Sequence, residues 1–316
     1  MGSPTEHELK NLSRETWGGL AALAIWSSSI AVARGLSESI GTQTGPALAC
    51  ALGGTLAVAW ARARGDSPGL MLRLPPLYLW GCGALFVSCN VGLYLAIGAC
   101  ETREQTLVIG LVNYLWPTLT VALSVPLLRR RARWTLALGC IIAAAGTAVA
   151  MVGGMGVLDS GLDHWRTPAG LFALSMAGVA ALSWGLYSNL ARRWGSGERG
   201  AVPLFVLATA AALGALRLLR PEVSHWTLKG VLELCTLGVA SLMGAYALWD
   251  WGIRRGDQAF LGVCSYFMPV ASVAIASLYL GVRPGAHVAV GCVLVAAGAF
   301  LSRTDSHNSS HNGSGD

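Results

Sequence analysis

Charged residues cut this chain into ten uncharged stretches, at 16–33, 42–61, 74–100, 105–128, 134–158, 167–191, 200–216, 234–249, 258–282 and 284–302. Crossing about 30 Å of hydrocarbon takes roughly 20 residues of helix at 1.5 Å each, and most of these runs reach or approach that length. The eighth reaches it only with Glu233 or Asp250 at an interface, where Glu233, like His287 at the start of the tenth run, reads as an ordinary boundary residue. A soluble domain carries about a quarter charged residues. Here 12% are charged, 54% are apolar and the mean hydropathy is +0.56. One anchor on a soluble enzyme is therefore excluded. Barrel strands are excluded too, because the runs are apolar on every face instead of alternating. The predicted fold is an all-α integral membrane protein with ten transmembrane helices.

With ten crossings, both tails and the even-numbered gaps share one side of the membrane. That side holds 15 Lys and Arg against seven on the other, so the positive-inside rule places both termini in the cytoplasm. The net charge of +6 is thereby assigned to topology, and nucleic acid is not an expected partner. Residues 1–15 form a cytoplasmic amino-terminal segment. From 304 to 316 the polar tail is too poor in apolar residues to bury a core and is expected to be a disordered cytoplasmic tail.

Shifting the chain by 152 residues lays Tyr94 on Tyr246, Gly110 on Gly262, Tyr114 on Tyr266, Pro117 on Pro269, and Gly139-Cys140 on Gly291-Cys292. Fifteen of the 53 positions from 94 to 146 are identical, where about five would arise by chance. Trp26 pairs with Trp184 at an offset of 158. Residues 16–158 and 159–303 are thus two five-helix copies. An odd number of crossings per copy makes the repeat inverted, the architecture of alternating-access carriers with a midplane site in a central cavity.

Candidate site residues follow from what is unusual at membrane depth. Pro117 and Pro269 fall inside predicted helices and remove the donors to the carbonyls of Asn113 and Ser265, which makes them candidate hinges. Trp26, Tyr94, Trp116, Trp184, Tyr187, Tyr246 and Tyr266 lie within the runs, whereas Trp17, Trp60, Trp134, Trp165, Trp194 and Trp226 fit an interfacial belt, with Trp249 and Trp251 assignable to it as well. Packing competes with ligand contact for each ring, but a cavity of apolar rings and hydroxyls suits an amphipathic or aromatic ligand. Asn90 and Asn113 are amides that need partners at depth. Asp250 is the candidate for ion coupling, with an i,i+4 pair to Arg254 as the plainer reading. The eight Cys have no CxxC spacing and read as packing residues. No metal site, cofactor motif or catalytic constellation is present in the sequence.

The string Val112-Asn113-Tyr114-Leu115-Trp116-Pro117-Thr118, with Ser265-Tyr266-Phe267-Met268-Pro269 in the second copy, resembles the aromatic amino-acid exporter branch of the drug/metabolite transporter superfamily, EamA type. The likeness covers essentially the whole membrane part. It implies export of aromatic, and of other neutral, amino acids from a bacterial cytoplasm across the inner membrane. On that reading Trp26, Tyr94, Trp116, Trp184, Tyr187, Tyr246 and Tyr266 shape the cavity, while Asn90 and Asn113 meet the zwitterion. The expected partners are the substrate and the lipid bilayer, and a monomer is compatible with every motif. Efflux of organic cations is the alternative, weakened by the lack of a well-placed carboxylate in the first helix of either copy. A receptor or scaffold that does not transport is the reading from another class.

Overall fold

The computed structural model describes residues 13–128, 134–152, 165–195, 200–256, 260–261 and 264–307, and among them every regular element is helical. In chain order the helices are α1 (Arg14–Ser39), α2 (Thr44–Ala63), α3 (Leu77–Gly98), α4 (Arg103–Leu128), α5 (Trp134–Val152), α6 (Pro168–Trp194), α7 (Val202–Leu219), α8 (Leu228–Arg255), α9 (Ser265–Leu280) and α10 (Ala286–His307). Seven stretches are long and apolar enough to cross a membrane by length and composition: α1, α2, α3, α4, α6, α7 and Leu228–Trp249 of α8. Trp134–Ala150, Ser265–Leu280 and Ala286–Leu301 are shorter apolar helices.

Helix ends obey local chemistry. Ser13 caps α1 by accepting from the Thr16 N–H, with Glu15 in the first turn where its charge suits the helix dipole. Thr102 and Gln105 form a reciprocal capping box at α4, and Thr167 and Thr227 cap α6 and α8. Because Thr227 starts α8 at Leu228, the helix begins six residues before the uncharged run, and Glu233 lies one turn inside it. That carboxylate is 3% exposed, so it is an interior group and not a boundary residue. At the other extreme, α10 continues past residue 302 to His307.

Four helices depart locally from α-helical winding. Leu77–Cys82 of α3 and Thr236–Ala245 of α8 are π-helical, a form that nothing in an apolar run announces. In α4, Tyr114 and Leu115 form a turn between Arg103–Asn113 and Trp116–Leu128. In α9 the 3₁₀ turn Ser265–Phe267 precedes Met268–Leu280. Tyr114 and Tyr266 are the 152-offset pair, so both breaks fall at the same repeat position. Pro117 and Pro269 consequently sit in the first turn of a new segment, where a missing N–H is tolerated, and not in the middle of a continuous helix.

Packing sorts the helices into groups. α1 lies against α8 and α9; α6 lies against α3 and α4. α2 pairs with α7 and α5 with α10, while α2 also touches α8 and α7 touches α3. The α5/α10 seam is a glycine contact: a Cβ on Gly146 would meet the Gly291 carbonyl at 2.7 Å, and one on Gly298 would meet the Gly139 carbonyl at 2.6 Å. Backbones approach this closely only where the side chains are small. Exposed Ile141, Val290, Val293 and Phe300 on the same pair give it the outward surface that lipid requires.

Candidate functional site

Nine rings form a continuous network where the two groups of helices meet. On the α1/α8/α9 side, Trp26 of α1 packs on Tyr246 at 5.1 Å and on Trp249 at 5.6 Å, both of α8. On the α3/α4/α6 side, Trp184 of α6 packs on Tyr187 at 5.2 Å, on Phe86 of α3 at 6.0 Å and on Trp116 of α4 at 6.2 Å. Tyr246 bridges the sides, 5.7 Å from Phe86 and 6.4 Å from Trp184. Phe86 also meets Tyr187 and Phe205 of α7, and Phe205 meets Tyr78. These spacings are those of offset and edge-on ring pairs, each adding about 0.5–1.5 kcal/mol beyond area burial.

Neutral polar groups edge the network. Asn90 donates to the Phe86 carbonyl at 3.0 Å and pairs with the Tyr246 side chain across the boundary. Tyr94 is buried beside Cys50 of α2. Phe86, Asn90 and Tyr94 are spaced by four and so share one face of α3. Trp116 stands just after the break in α4, one turn beyond the half-buried Asn113. Pro117 deprives the Asn113 carbonyl of its usual i+4 donor.

Of the residues singled out in the sequence, Trp26, Trp116, Trp184, Tyr187 and Tyr246 join the network, with Asn90 and Tyr94 adjoining it. Tyr114 and Tyr266 have other described partners: Tyr114 pairs with Ser272 of α9, and Tyr266 stacks edge-on against Phe300 of α10 at 6.1 Å. The side chain of Asp250 lies outside the described residues. Phe86, buried at the hub with 0% exposure, was not singled out because a phenylalanine in an apolar run is unremarkable; its i−4 spacing from Asn90 was the available signal. Trp249, assignable to the interfacial belt, is a wall of the network instead. A groove of about 490 Å³ lies elsewhere, on the α2/α8 flank, between Trp60, Arg64, Met243, Leu248 and Trp251.

The described ion pairs lie at the end of the molecule where α1 finishes. Arg34 donates to Glu38 at 2.8 Å and to the carbonyls of Ile97 and Cys100 at the end of α3, at 3.1 and 2.7 Å. Arg103, at the start of α4, grips both oxygens of Glu38 at 3.0 and 2.6 Å and the Leu280 carbonyl at the end of α9 at 2.8 Å. Glu233 of α8 accepts from the Tyr279 hydroxyl and from Ser39 and lies 3.6 Å from Lys229. Gly35 makes room for it, since a Cβ there would be 2.0 Å from the carboxylate.

In the α7/α8 connection, Glu222 accepts from the backbone N–H groups of Thr42, Gln43 and Thr44 at 2.9, 2.9 and 2.6 Å. Burial pushes its carboxyl up, but these donors and the Thr42 and Thr44 hydroxyls outweigh that and hold it below its ordinary 4.5.

Comparison with known proteins places the chain. The EamA-like transporter family profile matches residues 171–304. The aromatic amino acid exporter YddG of Salmonella typhimurium is 32% identical over 286 residues, covering 90% of this chain and 94% of that protein. The proteins of the same name from Escherichia coli and Ancylobacter novellus are 30% and 31% identical, covering 90% and 92% of this chain and 94% and 97% of theirs. A solved crystal structure superposes with a TM-score of 0.65 at 29% identity, covering 93% of this chain and 97% of that one. These relatives are membrane transporters and not enzymes, and the chain belongs to the EamA-like transporter family.

Proposed function

We propose that this protein exports aromatic amino acids, and other neutral amino acids less selectively, from the bacterial cytoplasm by alternating access. The observation that carries the reading is the aromatic network at the boundary between α1/α8/α9 and α3/α4/α6. Its rings offer stacking surfaces for an aromatic side chain. The polar groups placed around it, Asn90 and the tyrosine hydroxyls, are neutral, which suits a zwitterion better than an organic cation. Asn113 and its freed carbonyl are the proposed contacts for the substrate's ammonium and carboxylate. The names of the three relatives point the same way.

Ten crossings in two inverted repeats are the architecture this function uses. Supporting it, the packing maps onto itself when the halves are exchanged: α1 on α8 and α9 becomes α6 on α3 and α4. The Gly146–Gly291 contact likewise becomes Gly298–Gly139. The breaks before Pro117 and Pro269 fall at equivalent positions and serve as hinges. With the termini in the cytoplasm, as the bias of Lys and Arg supports, the Glu38 end faces outward from the inner membrane.

Counterflow of radiolabelled tryptophan into liposomes holding the purified protein tests the reading, with leucine, threonine and an organic cation as competitors. Uptake above empty liposomes that neutral amino acids compete for is the expected result. Uptake of the cation alone would replace this reading with multidrug efflux.

A further inference from the structure

We propose that Arg34, Glu38 and Arg103 form the exit gate of the carrier, with Glu38 as the pin that holds it shut. The proposal rests on the export reading for its direction, outward, but not for its mechanics.

The mechanics follow from which helices the bonds join. α1, α8 and α9 pack as one bundle and α3, α4 and α6 as another, and the aromatic network lies between them. At the Glu38 end, the bonds from Arg34 to Ile97 and Cys100 run from α1 to α3. Those from Arg103 run from α4 to Glu38 of α1 and to Leu280 of α9. All of them cross the bundle boundary. Along the same seam, a Cβ on Gly110 of α4 would meet Ile30 of α1 at 3.1 Å. Toward the opposite end the described contacts of Arg193, Gly81, Gly18 and Gly19 each lie within a bundle: Arg193 of α6 to the Leu127 carbonyl of α4, Gly81 of α3 under Trp194 of α6, and Gly18 and Gly19 of α1 under Trp251 and Gly252 of α8.

The chemistry suits a gate. Carbonyls in the last turn of a helix lack intrahelical donors and carry the negative end of the dipole, so each guanidinium is well placed on α3 or α9. Two guanidinium groups converging on one point repel each other, and the carboxylate between them removes that repulsion while orienting both forks. Without Glu38 the same cations would favour separation of the bundles. Glu38 and Arg103 keep 28% and 44% of their side-chain surface exposed, so water can take over their hydrogen bonds when the gate opens. Glu233 contrasts with this: it is buried, and its described hydrogen bonds and ion pair lie within α1, α8 and α9, so they rivet one bundle together.

Cys100 is a built-in reporter, since its residue is buried directly beneath the clamp and its carbonyl is held by Arg34. The experiment measures its labelling rate by a polar maleimide in nanodiscs, with the other seven cysteines replaced by Ser or Ala so that the exposed Cys235 and the half-buried Cys140 and Cys264 contribute nothing. Glu38→Gln should raise the Cys100 rate about tenfold, as expected for breaking a partly buried ion pair. Arg103→Gln should do the same without disturbing the Arg34–Glu38 pair, which guards against misfolding of the first variant. Arg193→Gln, at the other end, should leave the rate at the parent value. Parent-like labelling in both clamp variants, checked as folded by gel filtration, would overturn the gate. The outcomes separate the two proposals. Open clamps without any amino-acid counterflow would remove the substrate reading and leave the gate, whereas tryptophan counterflow with unmoved labelling would do the reverse.

Discussion

The two ends of this molecule are closed by different physics. Where α1 finishes, two guanidinium groups, two carboxylates and a tyrosine hydroxyl meet helix ends, and the bonds are directional and charge-assisted. Where α1 begins, the described glycine contacts are matters of shape, letting a tryptophan or another backbone come close. Polar bonds can be exchanged for bonds to water at moderate cost, whereas a seated ring or touching backbone has no such substitute. The comparison teaches that the Glu38 end can open and close while the tight contacts of the other end hold each bundle rigid.

The largest effect is expected at Gly35, where a methyl group would displace the Glu233 carboxylate from its buried partners. Gly35→Ala should destabilise the protein by about 3 kcal/mol or more, the scale of overpacking and of stranding a buried charge. Thermal unfolding in detergent checks it, and adding Glu233→Ala should recover most of the loss, because the clash is with that side chain. At the opposite end, Gly252→Ala places a Cβ 2.8 Å from the Gly19 Cα and 2.9 Å from its nitrogen. It should cost about 1–3 kcal/mol, and no single side-chain truncation should restore it, because the obstacle is backbone. Recovery by trimming Trp251 would show that end to be closed by side chains after all.

Glu222 gives a smaller effect with a pH signature. Its carboxyl is held below 4.5 in the folded protein, so the stability from its bonds to α2 is present above the unfolded carboxylate range. That stability is lost only as pH falls through the lowered folded value. Glu222→Gln should therefore unfold at lower temperature than the parent at neutral pH, with the two melting curves converging only below pH 4.5. Convergence at higher pH would place the charge of another residue in that role. Smallest of all, Arg193→Gln should change stability by less than about 0.5 kcal/mol, as a partly exposed surface bond does, since its 3.3 Å hydrogen bond is exposed.

Much of this was legible in the sequence, for identifiable reasons. Helix positions follow from lipid's intolerance of charge, and the proposed repeat rests on the shared offset of Tyr94, Tyr114 and Pro117 with their partners. The start of α8 was misplaced because a charge was taken to end the membrane run, when Glu233 is accommodated by Gly35, Ser39 and Tyr279 from α1 and α9. Those are tertiary facts without a local signature. For the same reason Arg34, counted only as an external cation, gave no sign that it would bond the end of α3. The π-helical stretches of α3 and α8 are equally silent in composition. In the site, aromatic residues in apolar runs were visible one by one, but which of them meet depends on helix rotation. Tyr266 faces α10 and Trp249 faces Trp26, the reverse of what position along the run suggested.

The account stands on the aromatic network being the place where substrate is held. Equilibrium binding of radiolabelled tryptophan to the purified protein, parent against Trp184→Ala, tests that most directly, with leucine as the comparison ligand. The account predicts that tryptophan affinity falls about tenfold, the worth of one lost ring pair of up to about 1.5 kcal/mol, while leucine affinity changes much less. Equal tryptophan affinities for the folded parent and variant would contradict it.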